Sequence, residues 1–225
     1  DYTTGSDGVV AKRGINSLIN LKGKRLAVEK GTIAHFTVLK ALEKAGLDRD
    51  EVDLVYMDLQ SLRKAFLENE VDAAGTYEPC LSTLANRGDG HVIFSSREIP
   101  RSICDVLFVK KSVALDSPRV IDHWVESWSE ILDYREREEQ EYLSRLSTLN
   151  DTPVGRLRMS LDGMYLTNMT ENRRAFGTPE TPGYLLESLR EMEAFMRREG
   201  AIDRKVPVET LIDHGAVLRF FAQHR

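Results

Sequence analysis

Arg25-Leu26-Ala27-Val28-Glu29, then Gly31-Thr32, then Ile33 to Ala45 closed by Gly46, is the stretch that decides how this chain folds. The first five residues are a short apolar run bounded by charge, which reads as a buried strand. Gly31-Thr32 supplies a turn and a helix cap, because a Thr hydroxyl accepts one of the free N–H groups at a helix start. From Ile33 onward the apolar positions include Phe36, Leu39 and Leu42. Gly46 ends the helix, since glycine enters the left-handed region without steric penalty.

This strand, turn and helix recur downstream. Val52 to Met57 reads as a strand, Asp58 as a cap and Leu59 to Leu67 as a helix. Asp72 to Tyr77 reads as a further strand, and Pro79, whose fixed φ suits a first helical turn, opens a third helix. Three βα units predict a small parallel sheet joined by right-handed crossovers.

After Val92-Ile93-Phe94 and a strand-like run from Cys104 to Val109 the pattern turns helical. One long helix is expected from Pro118 to about Leu146, burying Ile121, Trp124, Val125, Trp128, Ile131 and Leu132 along one stripe. Its opposite face, rich in Glu and Arg, reads as solvated. Further helices are expected over Pro153 to Gly163, Pro182 to Arg198 and His214 to Gln223, with Asn168 to Gly183 as a long surface loop.

With 225 residues, 41% hydrophobic and 30% charged, the chain can bury a sizeable core as one or two domains. Lys and Arg total 31 against 36 Asp and Glu, a net charge of −5 without a basic block. That balance excludes a general nucleic-acid binder. Apolar stretches such as Val106 to Val109 fall far short of the roughly 20 residues a spanning helix needs. The sequence begins at Asp1 without Met or leader, so a processed protein or a fragment is expected. Cys80 and Cys104 lack metal-ligand spacing; their even count leaves a disulfide open, but two thiols do not indicate an oxidising compartment.

In an open α/β sheet, ligands bind beyond the carboxyl ends of the strands, where the following helices point their amides. Thr32, Asp58 and Glu78 mark three such ends. Thr32 suits an anionic oxygen, and the same residue serves equally as an ordinary cap. Glu78 favours a helix start and also faces the place of a ligand. Asp105 lies within an apolar run, where an ionised carboxylate needs either a salt bridge or a ligand. Thr32 together with Glu78 and Asp105 would suit a zwitterion. No nucleophile elbow, phosphate loop, zinc-binding helix or dinucleotide fingerprint is present, and the five histidines show no metal-ligand pairing, so neither enzyme activity, cofactor nor metal is expected.

An ordered set of residues is similar to a known family: Asp1, Gly5 and Asp7-Gly8; Leu21-Lys22-Gly23-Lys24-Arg25-Leu26-Ala27-Val28; Gly31-Thr32 with His35-Phe36; Val71-Asp72-Ala73-Ala74 with Tyr77-Glu78-Pro79; Ser95-Ser96; and Ile103 with Asp105-Val106-Leu107. It resembles the substrate-binding proteins of ABC importers for nitrate, sulfonates and taurine. Tyr77 stands where that family often has Trp, and the N-terminal portion of the family pattern has no counterpart here.

The resemblance implies an α/β, two-lobe periplasmic-binding-protein-like (type II) fold, with a parallel or mixed sheet flanked by helices and a helical C-terminal half. It implies one lobe over residues 14–101, with 1–13 and 102–225 as hinge strands and the rest of the other lobe. The implied activity is non-covalent capture of a small anionic or zwitterionic solute by a monomer, for delivery to a membrane permease. The implied location is periplasmic or extracytoplasmic, with a lipid anchor as one option. The implied contacts are Asp7 at the hinge, Thr32 and His35 at the first helix start, Tyr77 and Glu78 at the third junction, and Asp105 on the return strand. Two other readings stay open: a ligand-sensing domain of a receptor or regulator, and an enzyme like those of thiamin-pyrimidine biosynthesis.

Overall fold

The computed structural model describes residues 1–87 and 89–224. Its first part runs Tyr2–Thr3 (β1), Asp7–Lys12 (β2), Arg25–Val28 (β3), Ile33–Ala45 (α1), Asp53–Tyr56 (β4), Leu59–Leu67 (α2), Ala73–Tyr77 (β5), Cys80–Arg87 (α3) and Gly90–Ser95 (β6). The second part runs Lys111–Asp116 (α4), Pro118–Arg137 (α5), Glu139–Asn150 (α6), Val154–Asp162 (α7), Met164–Tyr165 (β7), Met169–Phe176 (α8), Tyr184–Arg198 (α9) and Gly215–Gln223 (α10).

The three expected βα units form, the first two with their caps in place. Thr32 accepts the His35 N–H at the start of α1, and Gly46 ends it at φ 66°. Asp58 accepts the N–H groups of Gln60 and Ser61 at the start of α2. β3 lies parallel to both β4 and β5, as crossover helices require. The sheet is mixed rather than wholly parallel, in the order β4-β3-β5-β2-β6, because β2 runs antiparallel to both β5 and β6.

Alternation along the strands divides the core. Val9, Leu26 and Val28 face α1 and its Val38 and Leu42, whereas Val10 and Ala27 face Phe66 of α2 and Leu84 of α3. Helices thus cover both faces, and each fully buried Leu or Phe contributes about 1.5–3 kcal/mol. α1 sits flush on β5 because Gly75 has no side chain; a Cβ there would stand 2.2 Å from Val38 Cγ2.

The second half departs from sequence expectation in four places. The single helix expected over 118–146 is two, α5 and α6, with a break at Glu138, where φ −132° and ψ 50° leave the helical region. The expected loop over 168–183 contains α8, because Asn168 caps it through the Glu171 N–H at 2.9 Å. In place of a return strand over 104–109, Cys104 alone forms a bridge, to Tyr2. Val106 to Val109 lie exposed, Phe108 at 88%, since among the described residues nothing pairs with them. Of the expected buried stripe on α5 only Leu132 is buried, while Trp124 and Ile131 are exposed; periodicity states which face is apolar, not whether a neighbour covers it.

Two crossing segments join the halves. Thr4 and Ser6 donate their N–H groups to Gly163 O at 2.7 and 3.2 Å, and Gly5 N–H donates to Ser96 Oγ at 2.7 Å. α9 returns to the sheet, where Phe195 packs with Phe36 and Ile103. Cys80 and Cys104 are free thiols. Among the described residues no helix is long and apolar enough to cross a membrane.

Candidate functional site at the strand ends

The carboxyl ends of β3, β4 and β5 lead into the N-termini of α1, α2 and α3, and their three junctions differ in what they leave free. At the first, Thr32 Oγ1 donates to Glu29 O at 2.7 Å and accepts the His35 N–H at 3.4 Å. The hydroxyl is held as a cap. His35 is fully buried. Its Nδ1 accepts the Gly31 N–H at 3.2 Å, its Nε2 faces Tyr56 Oη at 3.4 Å, and Phe195 of α9 closes on the ring edge-on at 5.5 Å between centroids. Burial lowers the His35 pKa, and the nearby Glu199 carboxylate opposes that shift. The ring therefore stands neutral beneath α9, turned away from solvent.

At the second junction the Asp58 carboxylate accepts from Gln60 N–H, Ser61 N–H and Ser61 Oγ, and the hydrogen bond from the Ser61 side chain leads in holding its pKa down. At the third, Glu78 accepts from Ser82 N–H at 3.2 Å and Ser82 Oγ at 2.5 Å. It braces the start of α3, as a carboxylate near a helix N-terminus does. The preceding Tyr77 ring is 40% exposed.

Asp7 is cross-strand partner to Tyr77, and Glu78 N–H donates to Ser6 O at 2.8 Å, so Asp7, Tyr77 and Glu78 meet where the first crossing segment enters the sheet. Asp7 is 5% exposed; burial pushes its pKa up, and the negative charge of Asp105 adds to the rise. Asp105 itself is exposed, with its N–H donated to Asp1 O at 3.0 Å. The expected residues thus fall into two groups, Thr32 with His35 at the end of β3, and Asp7, Tyr77 and Glu78 at the end of β5 with Asp105 beside Asp7.

A cavity of about 810 Å³ opens between the second and third junctions. Leu59 and Gln60 form the α2 side, Tyr77 and Pro79 the strand end, and Met159 of α7 the opposite wall. Arg63, Arg87 and Arg156 also line it, one each from α2, α3 and α7, and no carboxylate does. These arginines were not among the residues expected from the sequence. Arg63 falls one turn after a recognised cap, which is a usable signal; Arg156 reaches the cavity only through the tertiary placement of α7. Among the described residues no group of side chains has the arrangement of a metal site.

The mixed α/β sheet, flanked by helices, thus carries a solute-sized cavity at its strand ends, walled on the far side by a helix of the second half. The chain belongs to the NMT1/THI5-like family, whose model matches residues 6–130. It is 29% identical over 133 residues to a putative binding protein of Brucella abortus, a match covering 58% of this chain and 42% of that one. It is 24% identical over 210 residues to the taurine-binding periplasmic protein of Escherichia coli, covering 88% and 62%. The periplasmic aliphatic sulphonate binding protein SsuA from Escherichia coli shares the fold at a TM-score of 0.75 and 17% identity, over 97% of this chain and 72% of that one. The desulfurization enzyme DSZB shares it too, at a TM-score of 0.67 and 13% identity, over 99% and 78%. The chain spans less than half the length of its Brucella relative.

Proposed function

We propose that this chain is the solute-capturing part of an ABC importer, binding a small organic anion of the sulfonate class outside the cytoplasm and handing it to a membrane permease. The names of its taurine-binding relative and of its sulfonate-binding structural neighbour support the solute class and the periplasmic location. The observation that carries the reading is the cavity between α2, α3 and α7, which presents three arginines and no carboxylate. Guanidinium groups match sulfonate and carboxylate oxygens in fork geometry, and walls from two halves of the chain suit closure on a solute by hinge motion.

The two lobes in this reading are the α/β unit expected over 14–101, joined by β2, and the helical remainder. Thr3 to Asp7 and Glu98 to Asp105 are the hinge crossings. Tyr77 is the apolar wall of the site. Thr32, His35 and Glu78 hold the helix starts, and Asp7 with Asp105 sets the polarity of the hinge. Glu78 is taken up by Ser82, which supports an anionic rather than an amine-led solute. The capture makes and breaks no covalent bond.

Titration calorimetry with taurine, ethanesulfonate and ethylammonium tests this function. Saturable binding of both sulfonates and none of ethylammonium is the expected result. Binding of ethylammonium alone, or of none of the three, would contradict it.

A further inference from the structure

The geometry points to a solute that carries at least two anionic groups on an apolar body. This inference rests on the reading of the cavity as the solute site and narrows its chemistry. Arg63, Arg87 and Arg156 place three positive charges around one space, and among the described residues none has a carboxylate at ion-pair distance. The chain as a whole has 36 acidic residues against 31 basic ones, so unpaired arginines gathered on an acid-free lining run against its general charge balance. A monoanion engages one of the three charges, a dianion two, and a trianion all three.

Helix stability does not account for all three. Arg87 lies in the last turn of α3, where the helix dipole favours a cation. Arg156 is the third residue of α7, in the turn where the dipole disfavours one. Its place is explained by a negative charge arriving in the cavity. Arg63, in the middle of α2, gains little from the dipole at either end.

Size and lining point the same way. The cavity follows α3 from Pro79 to Arg87, a length of about 12 Å at the helical rise per residue. Its volume of about 810 Å³ lies in the range of sites for drug-sized ligands and exceeds the needs of a two-carbon sulfonate. Leu59, Tyr77 and Met159 supply apolar surface between the cations, so the body that links the anionic groups is hydrocarbon or aromatic.

The test is titration calorimetry of the 225-residue chain at low ionic strength with naphthalene-1,5-disulfonate and naphthalene-1-sulfonate, repeated on R156Q and R87Q. The disulfonate is expected to bind at least tenfold more tightly than the monosulfonate, as one further charge-assisted contact implies. Either substitution is expected to lower that ratio, and the two combined to reduce it to about one because a single arginine then remains, with thermal melts confirming the fold, since both side chains are exposed. Equal affinity for the two compounds, or a ratio unchanged in both variants, overturns the dianion inference and leaves monoanion capture standing. Binding of neither compound overturns the dianion inference, and sulfonate capture is then decided by the taurine and ethanesulfonate titrations alone.

Discussion

Arg49 Nη1 lies 3.1 Å from Glu199 Oε1, and the Glu199 side chain is only 2% exposed, so an ion pair fastens the sheet unit to the end of α9. Arg49 also donates to Tyr56 Oη, whose ring meets His35 edge-on. The end of β4, the start of α1 and the end of α9 are thereby tied at one point beneath the first strand-end junction.

Removing Arg49 takes the nearest cation from a buried carboxylate and leaves it Arg198 Nε at 3.8 Å. Arg49→Ala is expected to destabilise the chain by about 2 kcal/mol, between the values typical of exposed and of buried pairs, because Arg49 is itself 43% exposed. Adding Glu199→Ala is expected to cost less than the sum of the single changes. Urea unfolding of the cycle measures both; a loss under about 0.5 kcal/mol for Arg49→Ala would show that solvent already screens the pair.

His35 gives stability a pH dependence with a definite sign. Burial lowers its folded-state pKa below the ordinary 6.5, so at mildly acid pH the unfolded chain binds the extra proton first. Its contribution is complete above pH 6.5 and is lost as pH falls below that value towards the folded pKa. Unfolding free energies measured from about pH 7 to about pH 5 are expected to decline in the native chain and to decline less in His35→Gln. Parallel slopes would place the titration elsewhere.

Asp7 acts in the opposite direction. Its folded pKa is raised, so the buried charge opposes folding above that pKa, and the opposition disappears as pH falls through the folded pKa to the ordinary 3.8. Asp7→Asn is therefore expected to raise the melting temperature at neutral pH and to give no gain below about pH 4. A lower melting temperature at neutral pH would mean that the carboxylate makes a favourable contact outweighing its burial.

The run Val106 to Val109 has strand chemistry and no strand partner among the described residues, leaving Phe108 88% exposed. Exposed apolar surface of this kind binds hydrophobic dyes and promotes association. Phe108→Ser is expected to lower dye fluorescence and the tendency to aggregate, with stability changed by less than about 0.5 kcal/mol, as at other exposed positions. Equal dye binding in the two proteins would show that the run is covered in solution.

The sheet unit was legible in the sequence because its signals are local. Apolar runs of strand length, Thr32 and Asp58 as caps, and Gly46 as a stop each act within a few residues of themselves. The second half was less legible because its outcome depends on partners. The 104–109 run is apolar in the manner of a strand, but a strand exists only where another pairs with it. The stripe on α5 has the right spacing, yet spacing does not say what lies opposite Trp124.

The site divides along the same line. Thr32, Tyr77 and Glu78 were singled out because a strand end is a local feature, whereas His35 came with the resemblance. That His35 turns inward is decided by Phe195, far along the chain, so the sequence around position 35 carries no sign of it. The three arginines stand on three helices, 24 to 93 positions apart, and only the folded chain gathers them.

Amide-shift mapping by NMR of the 225-residue chain titrated with ethanesulfonate tests most directly whether an anion is captured at the strand ends. Saturable shifts confined to the amides around Leu59–Ser61, Tyr77–Ser82 and Arg156–Met159 are the expected result. Absent shifts, or saturable shifts centred elsewhere in the fold, would contradict solute capture at this edge.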